Sequence, residues 1–281
     1  MNSRVTTALL MLVPAIYLIG WSPQWLFLLV LVLLAERALY EFFALTRRTG
    51  LEGLPVLGYA ACGAMGVAQW ADLDRPGIWV LIVLTVSLLL ALLLAMAGSK
   101  DLRSYLGRTS ATVLGIFYVG FAFSCIVPIR FSPRFSGIGP GRHLLMFLFG
   151  VVWSGDIFAY LIGRALGRHL MFPGISPKKT VEGAIGGFLG SVIIGWAYAE
   201  KFWATSNLGL IIFLAVLVAV AGQIGDLAES AMKRNADVKD TGSILPGHGG
   251  ILDRVDSVLV AAPAFWLALI LRNFLSAPIR W

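Results

Sequence analysis

Asp253 and Asp256 stand three residues apart in the stretch "LDRVDS", with Arg254 between them. On a helix this spacing puts both carboxylates on one face, where their oxygens can hold a hard divalent cation. Capping is the plainer reading: Asp253 as an N-cap, with Asp256 in the first turn favoured by the helix dipole. Capping accounts for one aspartate and leaves Arg254 unexplained. It also leaves Asp226, which follows the apolar run from Leu208 to Ala221 in "GQIGDLAESAMKR". A carboxylate directly after such a run is costly unless it is paired, solvated in a cavity or bound to a cation. If the helix continues, Asp226, Glu229, Ser230 and Lys233 fall at i, i+3, i+4 and i+7 and form one stripe. For Glu229 and Lys233 a solvated helix end with an i to i+4 ion pair is expected.

Two further polar stretches carry the means to hold phosphate. The connection "NADVKDTGSILPGHGG" contains Lys239, Asp240 and His248, and Gly247, Gly249 and Gly250 let backbone amides approach an anion closely. A flexible link between two helices explains the same glycines. His248 is suited either to donating to a phosphate oxygen or leaving group, or to ordering the loop. In "GISPKKTVEG", residues 174–183, Ser176, Lys178, Lys179 and Thr180 form a candidate triphosphate cradle, with Glu182 just beyond. Lysines supply point charge, and hydroxyls and amides supply directed donors. The glycine spacing of a Walker loop is absent. The competing reading is a basic loop whose Thr180 caps the next helix.

Asp156, in "WSGDIFAYLIGR", is ionisable inside an apolar run and is a functional candidate on that ground, with Arg164 too far along the helix to pair with it. Glu36 and Glu41 lie near the end of an apolar segment, where carboxylates can reach the interface. One arrangement unites the clusters. A nucleoside triphosphate meets the lysine loop, Asp226, Asp253 and Asp256 hold Mg2+, and a lipid arrives between helices with its phosphate at the interface.

The elements that must position these groups are membrane helices. Of 281 residues 58% are hydrophobic and 13% charged, with a mean hydropathy of +0.85, which a water-soluble surface does not tolerate. Apolar segments of spanning length, about 20 residues for roughly 30 Å of hydrocarbon, fall near 5–21, 24–45, 53–71, 77–97, 109–129, 142–163, 182–200, 206–226 and 254–275. The expected fold is therefore all-α, a polytopic membrane bundle of about nine transmembrane helices. It is expected to be a single embedded domain, with N-terminal helices in 1–140 and the site-bearing part in 141–281. The first segment lacks a small-residue cleavage pattern and reads as a membrane helix rather than a removable signal. No repeat relates the halves, which counts against inverted-repeat transporter architecture.

Of the 22 Lys and Arg residues, 15 fall on the side of the N-terminus when the connections alternate and seven on the other, three of these, Arg130, Arg134 and Arg142, close together against the trend. That bias predicts a cytoplasmic N-terminus, an external C-terminus, and every polar cluster on the cytoplasmic face. The net charge of +7 then reflects anionic headgroups and substrates rather than nucleic acid. Cys62 and Cys125 sit in apolar segments without ligand spacing and read as packing residues.

The run "SAMKRNADVKDTGSILPGHGGILDRVDS", residues 230–257, resembles the signature of the phosphatidate cytidylyltransferase family, the CDP-diacylglycerol synthases. "GDLAES" before it and "GRALGRHLMFPGISPKKTVEGAIGG" at 163–187 are also similar to family segments, whereas residues 1–140 resemble it only in hydrophobic organisation. Two departures stand out: Val181 where the family often has tryptophan, and "DIFAY" where it often has Asp-Thr-Gly/Ala-x-Tyr. The resemblance implies that CTP and phosphatidate react to give CDP-diacylglycerol and pyrophosphate. Mg2+ would lie at Asp226, Asp253 and Asp256, with room for a second, monovalent cation such as K+. Lys178, Lys179 and Thr180 would belong to the nucleotide site. Lys233, Arg234, Lys239 and Arg254 would divide between pyrophosphate and lipid phosphate, and a homodimer in the bacterial inner membrane is implied. The alternatives are a CTP-dependent kinase of a lipid alcohol and a magnesium or anion transporter.

Overall fold

The computed structural model describes residues 3–74, 77–98, 101–203, 207–244 and 249–276. In chain order the described elements are α1 (Ser3–Gly20), α2 (Gln24–Arg48), α3 (Pro55–Ala71), α4 (Ile78–Gly98) and α5 (Leu102–Phe131). They continue with α6 (Gly141–Leu166), β1 (Leu170–Phe172), β2 (Ser176–Thr180), α7 (Val181–Phe202), α8 (Leu208–Asn235) and α9 (Leu252–Ser276). The architecture is an all-α membrane bundle with one small β ribbon.

Every apolar segment expected to span is helical. Among the described residues, six helices, α4 to α9, are long and apolar enough to cross a membrane. Of the other three expected spans, α3 has 17 residues and α2 carries Glu36, Arg37 and Glu41 within its apolar run. α5 is not uniform. It opens on a 3-10 turn whose Asp101 side chain accepts from the Arg103 amide, and it widens into a π-helical stretch at Ile116–Phe121.

One buried cluster reaches from Ile19 in α1 to Leu269 in α9, so both halves of the chain share a core. Phe42, Phe43, Phe147 and Phe265 are among its largest buried side chains. Around the site, packing is backbone to backbone. A Cβ at Gly187 of α7 would lie 2.8 Å from the Gly155 carbonyl of α6, a closeness that small residues allow between membrane helices. Likewise a Cβ at Gly225 of α8 would strike the backbone of Asp256 in α9.

The stretch 174–183, expected as a loop, forms most of an antiparallel ribbon, with Leu170 opposite Thr180 and Phe172 opposite Ser176. Thr180 does cap α7: its Oγ1 accepts from the Gly183 amide at 3.1 Å. The Glu182 carboxylate fastens the ribbon's base by accepting from the Arg168 and His169 amides at 3.1 and 3.3 Å and meeting His169 Nδ1 at 2.6 Å.

Candidate functional site

α6, α7, α8, β2 and the start of α9 line an open-sided cavity of about 610 Å3. Asp156, Lys178, Lys179, Thr180, Asp226, Asp253, Arg254 and Asp256 all line it. Residues that are up to 100 positions apart in sequence, from Asp156 to Asp256, thus share one chamber. Val152, Val218 and Ala219 also line it, one or two turns further along α6 and α8. The chamber joins a charged end to an apolar wall.

Lys179 Nζ meets Asp226 Oδ2 at 2.5 Å, tying the ribbon to α8. Gln223 Nε2 donates to the Ala184 carbonyl at 2.9 Å and ties α8 to α7. Asp256 Oδ1 accepts from the Ser257 amide at 2.7 Å.

Asp253 is not the N-cap that the plainer reading expected: α9 begins at Leu252, so Asp253 lies in the first turn. Its Oδ1 accepts from Lys233 Nζ at 2.8 Å, and its Oδ2 accepts from the Thr241 amide, the Thr241 hydroxyl and the Gly250 amide, each at 2.8 Å. This carboxylate therefore closes the connection between α8 and α9. Lys233 also pairs with Glu229 at 2.5 Å. The i to i+4 pair is present, but the solvated helix end is not: the Glu229 side chain is fully buried and Lys233 is 12% exposed. A lysine between two carboxylates is an arrangement that a buried charge requires.

Glu41 is the residue that sequence reasoning set aside. Its side chain is 1% exposed and pairs with Arg37 Nη2 at 3.0 Å. Glu41 Oε2 accepts from the Leu252 amide at 2.8 Å and lies 3.2 Å from the Thr241 hydroxyl. Arg164, Gln223 and Ser257 also line the chamber and went unselected as site residues.

The remaining expected residues are not brought into the chamber's lining. Ser176 sits in β2, and Arg234 Nε donates to the Ile175 carbonyl at 3.1 Å, outside the lining. Glu182 serves the ribbon base, and Lys239 and Asp240 are exposed in the connection after α8. Lys233 and Gly250 reach the site through Asp253, and Gly249, beside them, takes a φ of 80°, the left-handed region that favours glycine. His248 lies outside the described residues.

Among the described residues, no group of three or more His, Cys, Asp or Glu side chains is gathered closely enough to hold a metal by itself. Asp226 and Asp256 both line the chamber. Two hard oxygen donors suit Mg2+, which commonly takes one or two carboxylates and completes its shell with substrate phosphates and water.

Fold and site together define a polytopic helical membrane protein with a charged chamber suited to phosphate groups. A family model described as "Cytidylyltransferase family" matches residues 2–271. A phosphatidate cytidylyltransferase of Brucella abortus biovar 1 (strain 9-941) is 41% identical over 203 residues, 70% of this chain and 71% of the relative. The enzyme of that name in Staphylococcus saprophyticus subsp. saprophyticus is 40% identical over 158 residues, 56% of this chain and 58% of the relative. The one in Staphylococcus aureus (strain COL) is 34% identical over 200 residues, covering 70% and 74%. The chain belongs to the cytidylyltransferase family. Its match to the S. saprophyticus relative spans little more than half of that protein's length.

Proposed function

We propose that the protein transfers the cytidylyl group of CTP to phosphatidate, releasing pyrophosphate and leaving CDP-diacylglycerol in the membrane. The observation that carries this reading is the convergence of Lys179, Asp226, Arg254 and Asp256 on one chamber with an apolar wall. The family match and the names of the relatives point the same way.

The phosphate of phosphatidate is already anionic near neutral pH. One of its oxygens would attack the α-phosphorus of CTP, forming a new P–O bond as the bond to the β-phosphate oxygen breaks. No strong base is needed, so the protein's work is alignment and charge neutralisation. Lys178, Lys179 and Thr180 would meet the nucleotide, and Arg254 would meet either the lipid phosphate or the departing pyrophosphate. Asp226 and Asp256 would hold Mg2+, which when bound neutralises charge on phosphate oxygens. Asp253 would be a third ligand through Oδ1, which among the described residues accepts only from Lys233 Nζ, while Oδ2 is taken by Thr241 and Gly250. A monovalent cation and a homodimer rest on the family resemblance alone.

The same reading takes α1 to α3 as spans beside the other six, giving nine. It places the protein in the bacterial inner membrane with the chamber and N-terminus cytoplasmic and the C-terminus outside. The distribution of Lys and Arg supports that orientation.

Purified protein with Mg2+, phosphatidate and CTP labelled at either the α- or the γ-phosphate tests the reaction. The α-label should enter lipid, and the γ-label should leave as pyrophosphate. Transfer of the γ-label to lipid would make the protein a kinase, and absence of transfer from either position would overturn the proposal.

A further inference from the structure

We infer that Glu41 of α2 is a positioning residue for cytidylyl transfer, holding the first turn of α9 so that Arg254 and Asp256 present to the chamber. The inference rests on the proposed reaction and extends it to a part of the chain that contributes no residue to the chamber lining.

The first amides of any helix lack intrahelical acceptors and need partners from elsewhere. At α9 the Leu252 amide finds its acceptor in Glu41 Oε2 at 2.8 Å, across 211 residues of chain. Arg254 and Asp256 follow Leu252 by two and four residues, within about one turn. Fixing Leu252 therefore fixes where both side chains leave the helix. Glu41 also stands beneath the connection that precedes α9: a Cβ at Gly242 would lie 2.7 Å from Glu41 Oε1, and one at Gly250 would strike Glu41 Oε2. The Thr241 hydroxyl lies between Glu41 and Asp253, at 3.2 and 2.8 Å. Two carboxylates from distant helices thus hold one loop from two sides.

Stability alone gives little reason for this choice. A carboxylate with a 1% exposed side chain is costly to bury even beside Arg37, and an apolar residue of similar volume often serves packing as well or better. A carboxylate does provide a strong, fixed acceptor for an amide at the edge of the site.

Glu41→Ala and Glu41→Gln, purified beside the unaltered protein, separate positioning from folding. Glutamine keeps an acceptor for Leu252, and alanine does not. With CTP varied at saturating phosphatidate, Glu41→Ala should lose about 100-fold in kcat/KM, the scale expected of misplaced reacting groups, with a raised KM for CTP. Glu41→Gln should recover most of that loss. A lower kcat at unchanged KM in both variants would reflect a smaller active fraction and overturn the inference, as would unchanged kinetics in Glu41→Ala.

Hydrogen exchange gives a readout without turnover. Amides in 249–256 should exchange faster in Glu41→Ala than in the unaltered protein or Glu41→Gln, while those of α6 and α7 stay unchanged. Unaltered exchange in 249–256 would overturn the clamp. Failure of the unaltered protein to transfer cytidylyl would fault the reaction instead, leaving exchange to judge the clamp.

Discussion

α4 and α8 both meet the requirement for crossing a membrane, with mean hydropathies of 3.0 and 2.5 over their most apolar stretches. Their situations in the bundle differ. The apolar stretch of α4 is 22% buried and that of α8 44%. α4 has no charged residue over its 21 positions and turns leucines such as Leu81, Leu89 and Leu93 outward. α8 finishes its run with Asp226, Glu229, Lys233 and Arg234. Asp226 is answered by Lys179 of β2, and Lys233 by Asp253 of α9. Hydrophobicity suffices to seat a helix in lipid, where many apolar side chains are interchangeable. A charged turn needs particular partners on other elements, because an unpaired ion near the membrane core is expensive.

The contrast is open to direct attack at three positions. Asp256→Asn keeps the shape of a chamber residue and removes a charge, so cytidylyl transfer should fall by about 100- to 1,000-fold, the scale of losing one preorganised electrostatic group. The variant should still elute as a folded membrane protein, and activity within a few-fold of normal would remove Asp256 from the site. Lys179→Ala deletes the partner of Asp226 and should raise the KM for CTP about tenfold, as one charged contact of about 1.4 kcal/mol would. The KM for phosphatidate should hardly move, and an equal rise in both constants would assign the lysine elsewhere. Leu93→Ala, on the outward face of α4, should leave activity unchanged and stability within about 0.5 kcal/mol, as surface substitutions generally do. A loss of activity there comparable to that of Lys179→Ala would erase the distinction between the two helices.

Much of the site was legible because each charge interrupts an apolar background. Asp156 and Asp226 stand out in sequence for that reason, Lys179 and Asp256 because they sit in short polar stretches between apolar segments, and all four line the chamber. Thr180 was legible as a cap because its partner, the Gly183 amide at 3.1 Å, is only three residues away. The contacts of Glu182 and Arg234, around the ribbon base and at Ile175, were not legible because they depend on a hairpin that no strong strand pattern announces. Glu41 was underrated for the opposite reason. Its helix was plain, but its acceptor role depends on an amide 211 residues away.

The sequence by itself determined that the chain enters lipid, approximately where its helices run, and which residue types are available for phosphate chemistry. Those properties follow from hydrophobic length and local periodicity, which each segment carries alone. Only the tertiary structure decided the partners of the aspartates: all three line the chamber, but Asp226 meets Lys179 while Asp253 is bound to Lys233, Thr241 and Gly250. Three identical carboxylates acquire different partners from which donors packing brings within about 3 Å, a distance that no local pattern specifies.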